Sequence, residues 1–355
     1  MLKSLRVRDF RCLEKLELEL HPHVNLFTGR NAQGKTSVLE AICVLMRLQS
    51  PRTSAKAEWI RFDAASCALE GIWQDALLRY TQTATARRLA VQGAVCPRMD
   101  DYLRQSARIV WMDHADMNLT RGSAEHRRRY LDFAAGQIYP EYREALRAYE
   151  RVLRSRNFLL KRDAAIPWRQ VDAYSEVLHR HASVLRRSRA ELVAALVSPA
   201  GDVQQTLSAG DEKLGLQYLP GYEAEHLGEE LFSFRAEEER LRSTVVGPHR
   251  DDLGFLLNGR DATSYASEGQ QRSLSVALKV AQARVLEDRL GAAPLLLLDD
   301  VFGELDRHRR QALLSALPPA SQIFITTTSL DWLDQTPLEA WHWQVQRGAL
   351  VTAGD

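Results

Sequence analysis

The distribution of apolar and polar residues divides the chain into three stretches. Residues 1–112 alternate in short runs bounded by turn residues, a pattern typical of strands. Residues 113–242 instead repeat apolar positions at helical spacing, most clearly over Glu141–Leu160 and Val171–Leu196. From residue 243 onward, helical patterns and continuous apolar runs alternate. The pattern predicts one discontinuous α/β domain, residues 1–112 and 243–355, with a helical lobe, residues 113–242, inserted into it.

A glycine-rich loop separates an apolar run, Val24–Phe27, from a helical pattern, Ser37–Leu48. The loop matches G-x-x-x-x-G-K-[ST], whose glycines let backbone N–H groups point inward at phosphate oxygens while the following helix adds its positive end. A glycine turn that only caps a helix is the alternative, and the strict Gly-Lys-Thr ending argues against it. The residues predicted to bind a nucleoside triphosphate are Gly29, Arg30, Asn31, Ala32, Gln33, Gly34, Lys35, Thr36 and Ser37. Lys35 would reach the β- and γ-phosphates, and the Thr36 hydroxyl would bind Mg²⁺.

An acidic pair follows a second apolar run near the other end of the chain. Leu295–Leu298 suits a buried parallel strand, and Asp299 and Asp300 come directly after it. Alone this pattern is weak, because many buried strands end in an Asp that only caps the next turn. Together with the phosphate loop, the pair indicates the acidic part of a nucleotide site. We expect Asp299 to bind Mg²⁺ and Asp300 to polarise the water that attacks the γ-phosphate.

A predicted helix begins between the phosphate loop and the acidic pair in the sequence. Ser267 is a favourable N-cap and Gln270 occupies the capping-box position. Alone, this segment is equally well explained as a capped helix. However, Ser267–Gln270, the Leu-rich run with its two aspartates and then Gly303–Asp306 resemble the signature motif, Walker B strand and D-loop of ABC-type ATPases in order and spacing.

The resemblance implies a site shared between two subunits. In ABC-type ATPases the signature serine and glycine of one subunit contact the γ-phosphate held by the phosphate loop of the other. Ser267, Gly269 and Gln270 are therefore expected to bind nucleotide, and ATP is expected to close a homodimer.

Further segments resemble the RecF family, bacterial recombination mediators related to SMC heads. They cover nearly the whole chain in the family's order: Leu2–Arg11, Thr120–Ser123 leading to Arg127–Asp132, Arg156–Asn157 before Leu159–Lys161, Gly247–Leu253 and Phe324–Thr328. The blocks Arg-Arg-Arg-Tyr-Leu-Asp and Gly-Pro-His-Arg-Asp-Asp are specific, whereas the phosphate loop is shared with many proteins. Within the second block, we expect His249 to have a structural role, since no second histidine stands at ligand spacing.

The family resemblance implies a function. It implies an ABC-type ATPase head that uses ATP and Mg²⁺, dimerises on ATP and clamps duplex DNA near single-strand gaps. Its expected partner is RecR, alone or with RecO, and the expected result is RecA loading in recombinational repair, replication restart and the SOS response. ATP hydrolysis is expected to be weak, stimulated by DNA and used as a timing switch.

Two segments depart from the family pattern, and the switch position follows it. Trp111–Met117 replaces a Phe-Ser-Pro-Glu-Asp-Leu-like segment in the Q-loop region, which couples the nucleotide state to the helical lobe. Arg11-Cys12-Leu13 replaces the usual Arg-Asn-Tyr. Thr327 aligns with the switch position where many ABC proteins have histidine and where RecF proteins tend to resemble this chain, which favours a slow ATPase.

Charge is balanced overall and uneven along the chain. Residues 121–189 contain 16 basic and 8 acidic residues, and residues 191–241 contain 3 basic and 11 acidic residues. The basic segment predicts a surface for a phosphate backbone, although solvated helix faces are often this charged. Arg127, Arg128 and Arg129 are the predicted DNA contacts. Because successive helical residues point about 100° apart, at most two of them can face one phosphate track.

Length and composition limit the classes of protein to which the chain can belong. The 355 residues suffice for two lobes with cores, and no apolar run approaches the ~20 residues that cross a bilayer. We expect a cytoplasmic protein whose four scattered cysteines are reduced. A transporter ATPase subunit would leave the basic helical lobe without a purpose. A chromosome-structural SMC protein would need long heptad arms between the half-motifs, which 113–242 cannot supply.

Overall fold

The structure is a computed structural model that describes residues 1–117, 119–162, 165–333 and 338–351. Its strands are β1 Leu2–Phe10, β2 Leu13–Glu19, β3 Val24–Thr28, β4 Ser66–Trp73, β5 Ala76–Thr83, β6 Arg87–Val91, β7 Ala94–Val95, β8 Ile109–Met112, β9 Leu214–Leu219, β10 Asp252–Leu257, β11 Arg260–Asp261, β12 Leu295–Asp299, β13 Ile323–Thr327, β14 Trp341–Gln346 and β15 Ala349–Val351. Its α-helices are α1 Lys35–Arg47, α2 Met99–Arg104, α3 His114–Met117, α4 Ala124–Ile138, α5 Tyr142–Leu160, α6 Trp168–Leu207, α7 Leu227–Ser233, α8 Arg235–Leu241, α9 Ala262–Tyr265, α10 Glu268–Leu290 and α11 Arg307–Ala316. Short 3₁₀ helices cover Lys56–Trp59, Pro248–Arg250 and Phe302–Glu304.

The chain forms two compact units. The first comprises Met1–Met117 and Gln282–Asp355, and the second comprises Asn118–Ala281. The first boundary lies close to the expected start of the helical lobe. The second lies well after the expected return at residue 243, because β9, inside the stretch predicted to be helical, pairs antiparallel with β10 and keeps the following residues in the second unit.

Two six-stranded sheets build the first unit. One has the order β2-β1-β4-β5-β6-β7 with antiparallel neighbours. The other has the order β15-β14-β3-β13-β12-β8, and its pairs are parallel except for β14 with β15. Helix α1 packs against strands of both sheets and is buried over almost its whole length. The core of this unit therefore lies around α1 and the Leu-rich strand β12.

The apolar runs that predicted β3, β12 and β13 form central parallel strands, as expected for strands covered on both faces. Register pairs Asp299 with Thr326 and Thr327 with Thr28, so the carboxyl ends of the three strands meet at one edge of the sheet. Ligands of open α/β sheets bind at this edge.

The second unit is mainly helical and contains the three-stranded sheet β11-β10-β9. The predicted helix over Glu141–Leu160 is confirmed as α5, and the pattern over Val171–Leu196 lies within the longer α6. Within the described part of the chain, no helix combines the length and the hydrophobicity that a bilayer span requires.

Candidate nucleotide site

The phosphate loop lies between β3 and α1, as its sequence predicts. Gly29 and Gly34 have φ values of 146° and 106°, which side chains with a Cβ rarely adopt. A Cβ on Gly29 would also lie 2.3 Å from the carbonyl oxygen of Val345. The loop can therefore keep this curl only with glycine at these positions, and the curl ends at the positive N-terminus of α1.

Lys35 is held across this loop. Its Nζ donates to the carbonyl oxygens of Gly29 at 2.6 Å and Arg30 at 3.0 Å. Burial lowers the pKa of Lys35, while the nearby charges of Asp300 and Asp299 raise it. The ammonium group is thus positioned where phosphate oxygens would enter the loop.

The remaining loop residues fall into two groups. Arg30, Asn31 and Ala32 are exposed. Gln33 is tied to the turn between β14 and β15, because its Oε1 accepts from the Arg347 backbone N–H at 2.8 Å. Ser37 is buried, with its hydroxyl 3.4 Å from the Cys12 sulfur.

Thr36 and Asp299 meet as the metal prediction requires. The Thr36 hydroxyl donates to Asp299 Oδ1 at 2.9 Å, and the Thr326 hydroxyl donates to the same oxygen at 2.6 Å. Burial raises the pKa of Asp299, the two hydroxyl donors lower it, and the charges of Asp113 and Asp300 raise it further. A cation here would relieve the repulsion among these carboxylates.

The donor set fits Mg²⁺, which prefers oxygen ligands and is commonly held by one or two carboxylates together with nucleotide phosphates. Among the described residues, no group of three His, Cys, Asp or Glu side chains could hold a metal ion by itself. Thr36 and Asp299 would therefore hold the metal together with oxygens of a bound nucleotide.

Asp300 follows Asp299 in a left-handed backbone conformation, with φ of 54°. Its N–H donates to the Thr326 hydroxyl at 2.9 Å, which fixes the backbone just beyond β12. This turn separates the two carboxylates, so Asp299 bonds to the loop helix while Asp300 stays half-buried at the strand end. The arrangement suits a metal ligand and a separate water-polarising base.

Thr327, at the expected switch position, ends the neighbouring strand β13. Its hydroxyl donates to the Ser329 carbonyl at 2.8 Å and accepts from the Trp332 indole N–H at 3.2 Å. It is therefore occupied by contacts within its own unit.

Sequence reasoning missed the part that Asp113 plays beside this edge. It accepts from the Trp111 indole N–H at 2.9 Å and from the Asp116 backbone N–H at 2.9 Å. Its charge acts on Asp299, because β8 and β12 are parallel neighbours. The altered Q-loop segment thus places a carboxylate whose charge acts on Asp299, the expected metal ligand.

Arg11, at another departure from the family pattern, is engaged by a buried acid. Its guanidinium donates to Glu40 on α1 at 2.6 Å, and Arg52 also pairs with Glu40 at 3.1 Å. Glu40 is fully buried, so these ion pairs fix Arg11 against the helix that follows the phosphate loop.

The signature segment, in the second unit, forms the predicted capping box. The Ser267 N–H donates to Gln270 Oε1 at 2.8 Å, and the Gln270 N–H donates to the Ser267 hydroxyl at 3.3 Å. Ser267 is exposed and Gly269 is half-buried at the start of α10. This helix end therefore presents an exposed serine at the positive end of a helix, the kind of surface that binds an anion.

The three predicted DNA arginines have different surroundings. Arg127 forms a two-pronged ion pair with Asp252, at 2.6 and 2.8 Å, and only 13% of its side chain is exposed. Arg128 donates to the Asp251 carbonyl at 2.8 Å. Arg129 is 73% exposed and pairs with Glu125 on the same helix. The geometry thus leaves Arg129 as the most accessible of the three.

Comparison with known proteins places this geometry in a family. The family model described as RecF/RecN/SMC N terminal domain matches residues 1–340. The DNA replication and repair protein RecF of Halalkalibacterium halodurans is 35% identical, and the match covers 99% of this chain and 100% of that protein. The chain belongs to the RecF family. The solved structure described as the recombination mediator protein RecF-ATPrS in the RecFOR pathway resembles it with a TM-score of 0.88 at 28% identity, covering 100% of this chain and 98% of that one.

The RecF-family fold is also that of SMC heads. An SMC head bound to the C-terminal winged-helix domain of ScpA has a TM-score of 0.55 at 12% identity, over 98% of this chain and 95% of that one. At this identity the likeness concerns the fold alone. It agrees with the expected ABC-type ATPase head.

Proposed function

We propose that this chain is an ATP-gated DNA-binding protein of recombinational repair and replication restart. The hydrogen bond between Thr36 and Asp299 carries the proposal, because it brings the phosphate loop and the acidic strand end into one nucleotide site. Curated relatives are named DNA replication and repair protein RecF, and two similar structures are described as RecF with ATP or ATPrS.

Each side chain has a distinct task in nucleotide binding and hydrolysis. Loop N–H groups bind phosphate oxygens, and Lys35 exchanges the carbonyl oxygens of Gly29 and Arg30 for the β- and γ-phosphates. Thr36 and Asp299 would hold Mg²⁺, whose positive charge would offset that of the nucleotide phosphates. Asp300 orients and polarises the attacking water. With Thr327 at the switch position, hydrolysis is slow and acts as a timer.

Ser267 and Gly269 complete the site of a second copy. Both lie at the N-terminus of α10, whose partial positive charge favours a γ-phosphate. ATP therefore closes a homodimer, and hydrolysis opens it. The closed dimer clamps duplex DNA beside a single-strand gap.

The pathway named in the descriptions of the similar structures, RecFOR, points to RecR, alone or with RecO, as the protein partner. The clamp would mark the gap at which RecA is loaded. The basic composition of residues 121–189 supports DNA as the ligand.

Equilibrium binding to a labelled gapped duplex, with and without ATP at one salt concentration, tests this function. Lys35→Ala is the control. Tight binding that requires both ATP and Lys35 supports a nucleotide-gated DNA protein. Absent binding, or binding indifferent to ATP, contradicts it.

A further inference from the structure

One face of α5 combines basic residues with an exposed aromatic ring. Arg151, Arg154, Phe158 and Lys161, here the α5 stripe, are all exposed. At about 100° per residue these four positions fall within an arc of roughly 80°. The stripe extends ~15 Å along the helix. The opposite face carries the buried residues Tyr142, Tyr149, Leu159 and Leu160, so α5 is anchored on one side and presents the stripe on the other.

The cations of the stripe are less neutralised than others in the second unit. Arg156 is buried against Glu238, Arg187 pairs with Glu141, and Arg129 pairs with Glu125. Arg151, Arg154 and Lys161 form no such ion pair with any residue in the described part of the chain. Glu150 precedes the stripe by one residue on the same helix; burial and the charge of Asp132 raise its pKa, while the charge of Arg154 lowers it.

Phe158 is exposed where a solvated charged face would carry a polar residue. It remains 69% exposed, and it makes no aromatic or cation–π contact with another described residue. Arg154 lies one turn before it and Lys161 one turn after it. A phenyl ring between two cations matches what an unpaired nucleic-acid strand requires: a flat surface for a base and positive charge for the flanking phosphates.

We infer that the α5 stripe binds the single-stranded segment of a gapped DNA, with an unpaired base stacked on Phe158 and phosphates on Arg151, Arg154 and Lys161. The inference rests on the proposed function, since it assigns the strand at a gap to a surface of the same clamp. A duplex offers its phosphates to the same cations, but its bases are already stacked on each other. Only an unpaired base can therefore gain from the ring without losing its pairing.

Two DNA probes of equal length separate base stacking from phosphate contact. One is a blunt duplex, and the other is a duplex with a central single-stranded gap. Phe158→Ala should weaken ATP-dependent binding to the gapped probe about 5- to 100-fold, the range for loss of one base–aromatic stack, and leave the blunt probe unchanged. Phe158→Trp should restore gapped binding. Phe62→Ala is the matched control, because Phe62 is 86% exposed in the other unit.

The charge contribution is tested with Arg151→Gln/Arg154→Gln. Loss of two single-strand phosphate contacts should reduce the slope of log affinity against log salt by about 1.4. Arg240→Gln, an exposed arginine in the acidic segment, should leave the slope unchanged. A 2-aminopurine base in the gap should be quenched by the wild-type protein and by Phe158→Trp, and much less by Phe158→Ala.

Equal weakening of both probes by Phe158→Ala would overturn the assignment to an unpaired base. If Phe158→Ala and the double arginine variant both bind the gapped probe as the wild type does, the stripe does not bind nucleic acid. Its partner would then be an acidic protein surface. Both results presuppose a wild-type protein that binds DNA with ATP. Failure of that binding would refute the proposed function itself, so the two failures are distinguishable.

Discussion

The Thr36 hydroxyl donates to Asp299 Oδ1 over 2.9 Å and thereby joins two segments that are 263 residues apart in the sequence. The bond depends on the parallel alignment of β12, β13 and β3, which brings the carboxyl ends of these strands together. Thr326 donates to the same carboxylate oxygen from β13. The expected metal position therefore depends on three strands as well as on the phosphate loop.

Lys35→Ala should abolish ATP-dependent dimerisation. Its ammonium group, held by the Gly29 and Arg30 carbonyls, is the expected charged ligand for the γ-phosphate in the loop. Sedimentation velocity with and without ATP measures the effect, and Lys3→Ala, an exposed lysine that pairs with Asp75, is the control. An ATP-induced dimer of Lys35→Ala would contradict the clamp mechanism.

Asp300→Asn should slow hydrolysis at least tenfold and spare ATP binding, so that closed dimers accumulate. Asparagine tolerates the left-handed backbone at this position, where φ is 54°, so the strand end should keep its shape. Phosphate release and nucleotide affinity are measured in parallel, with the exposed Asp288→Asn as the control. Hydrolysis by Asp300→Asn at the wild-type rate would show that another group polarises the water.

Ser267→Arg should block dimer closure and leave ATP binding by the monomer intact. The new side chain occupies the exposed start of α10, where a second subunit's nucleotide would bind. Loss of the capping hydroxyl also costs ~1 kcal/mol. Ser123→Arg is the matched control, because Ser123 caps α4 in the same way. If the Ser267→Arg monomer cannot bind ATP, Ser267 acts within its own subunit.

The nucleotide site could be predicted from sequence to the extent that local patterns encode it. Gly29 and Gly34 reveal a backbone that needs glycine, and the continuous Leu run of β12 indicates a strand covered on both faces. The capping box of Ser267 and Gln270 is likewise local, since its two bonds span three residues.

The remaining features depend on pairing between distant segments. Asp113 influences Asp299 because β8 lies beside β12, and no local pattern specifies that register. The strand β9 is short and pairs with β10, which follows it after two α-helices and a 3₁₀ helix. The charge count revealed the excess of basic residues over 121–189, but it could not show that Arg127 pairs with Asp252, 125 residues away.

Arg127→Gln and Arg129→Gln should separate stability from DNA contact. Arg127→Gln leaves Asp252 without its two-pronged partner, so the free energy of unfolding should fall by about 1–3 kcal/mol. Arg129 is exposed, and Arg129→Gln should change stability by less than about 0.5 kcal/mol. If Arg129 contacts a phosphate, the salt slope of DNA binding should fall by about 1. Urea unfolding measures the stability change, and salt-dependent anisotropy measures the change in DNA binding. An Arg127→Gln protein of wild-type stability would contradict the stabilising role assigned to the Arg127–Asp252 ion pair.

His249 should make the stability of the protein depend on pH. Its Nδ1 lies 2.7 Å from the Tyr149 hydroxyl and its Nε2 lies 3.0 Å from the Thr244 carbonyl, contacts that a neutral imidazole with its proton on Nε2 satisfies. Burial lowers the pKa of His249 to about 4, only partly opposed by the Thr244 carbonyl. The unfolded chain, with a histidine pKa near 6.5, then binds more protons between these values.

The free energy of unfolding should therefore decrease as the pH falls from about 6.5 to about 4. His249→Asn removes the titrating group, so the stability advantage of the wild type over this variant should shrink across the same interval. Urea unfolding at several pH values measures the difference. His308→Asn, which changes an exposed histidine, is measured alongside as the control. A stability difference for His249→Asn that stays constant from pH 7.5 to 4.5 would mean that the buried ring is not the titrating group.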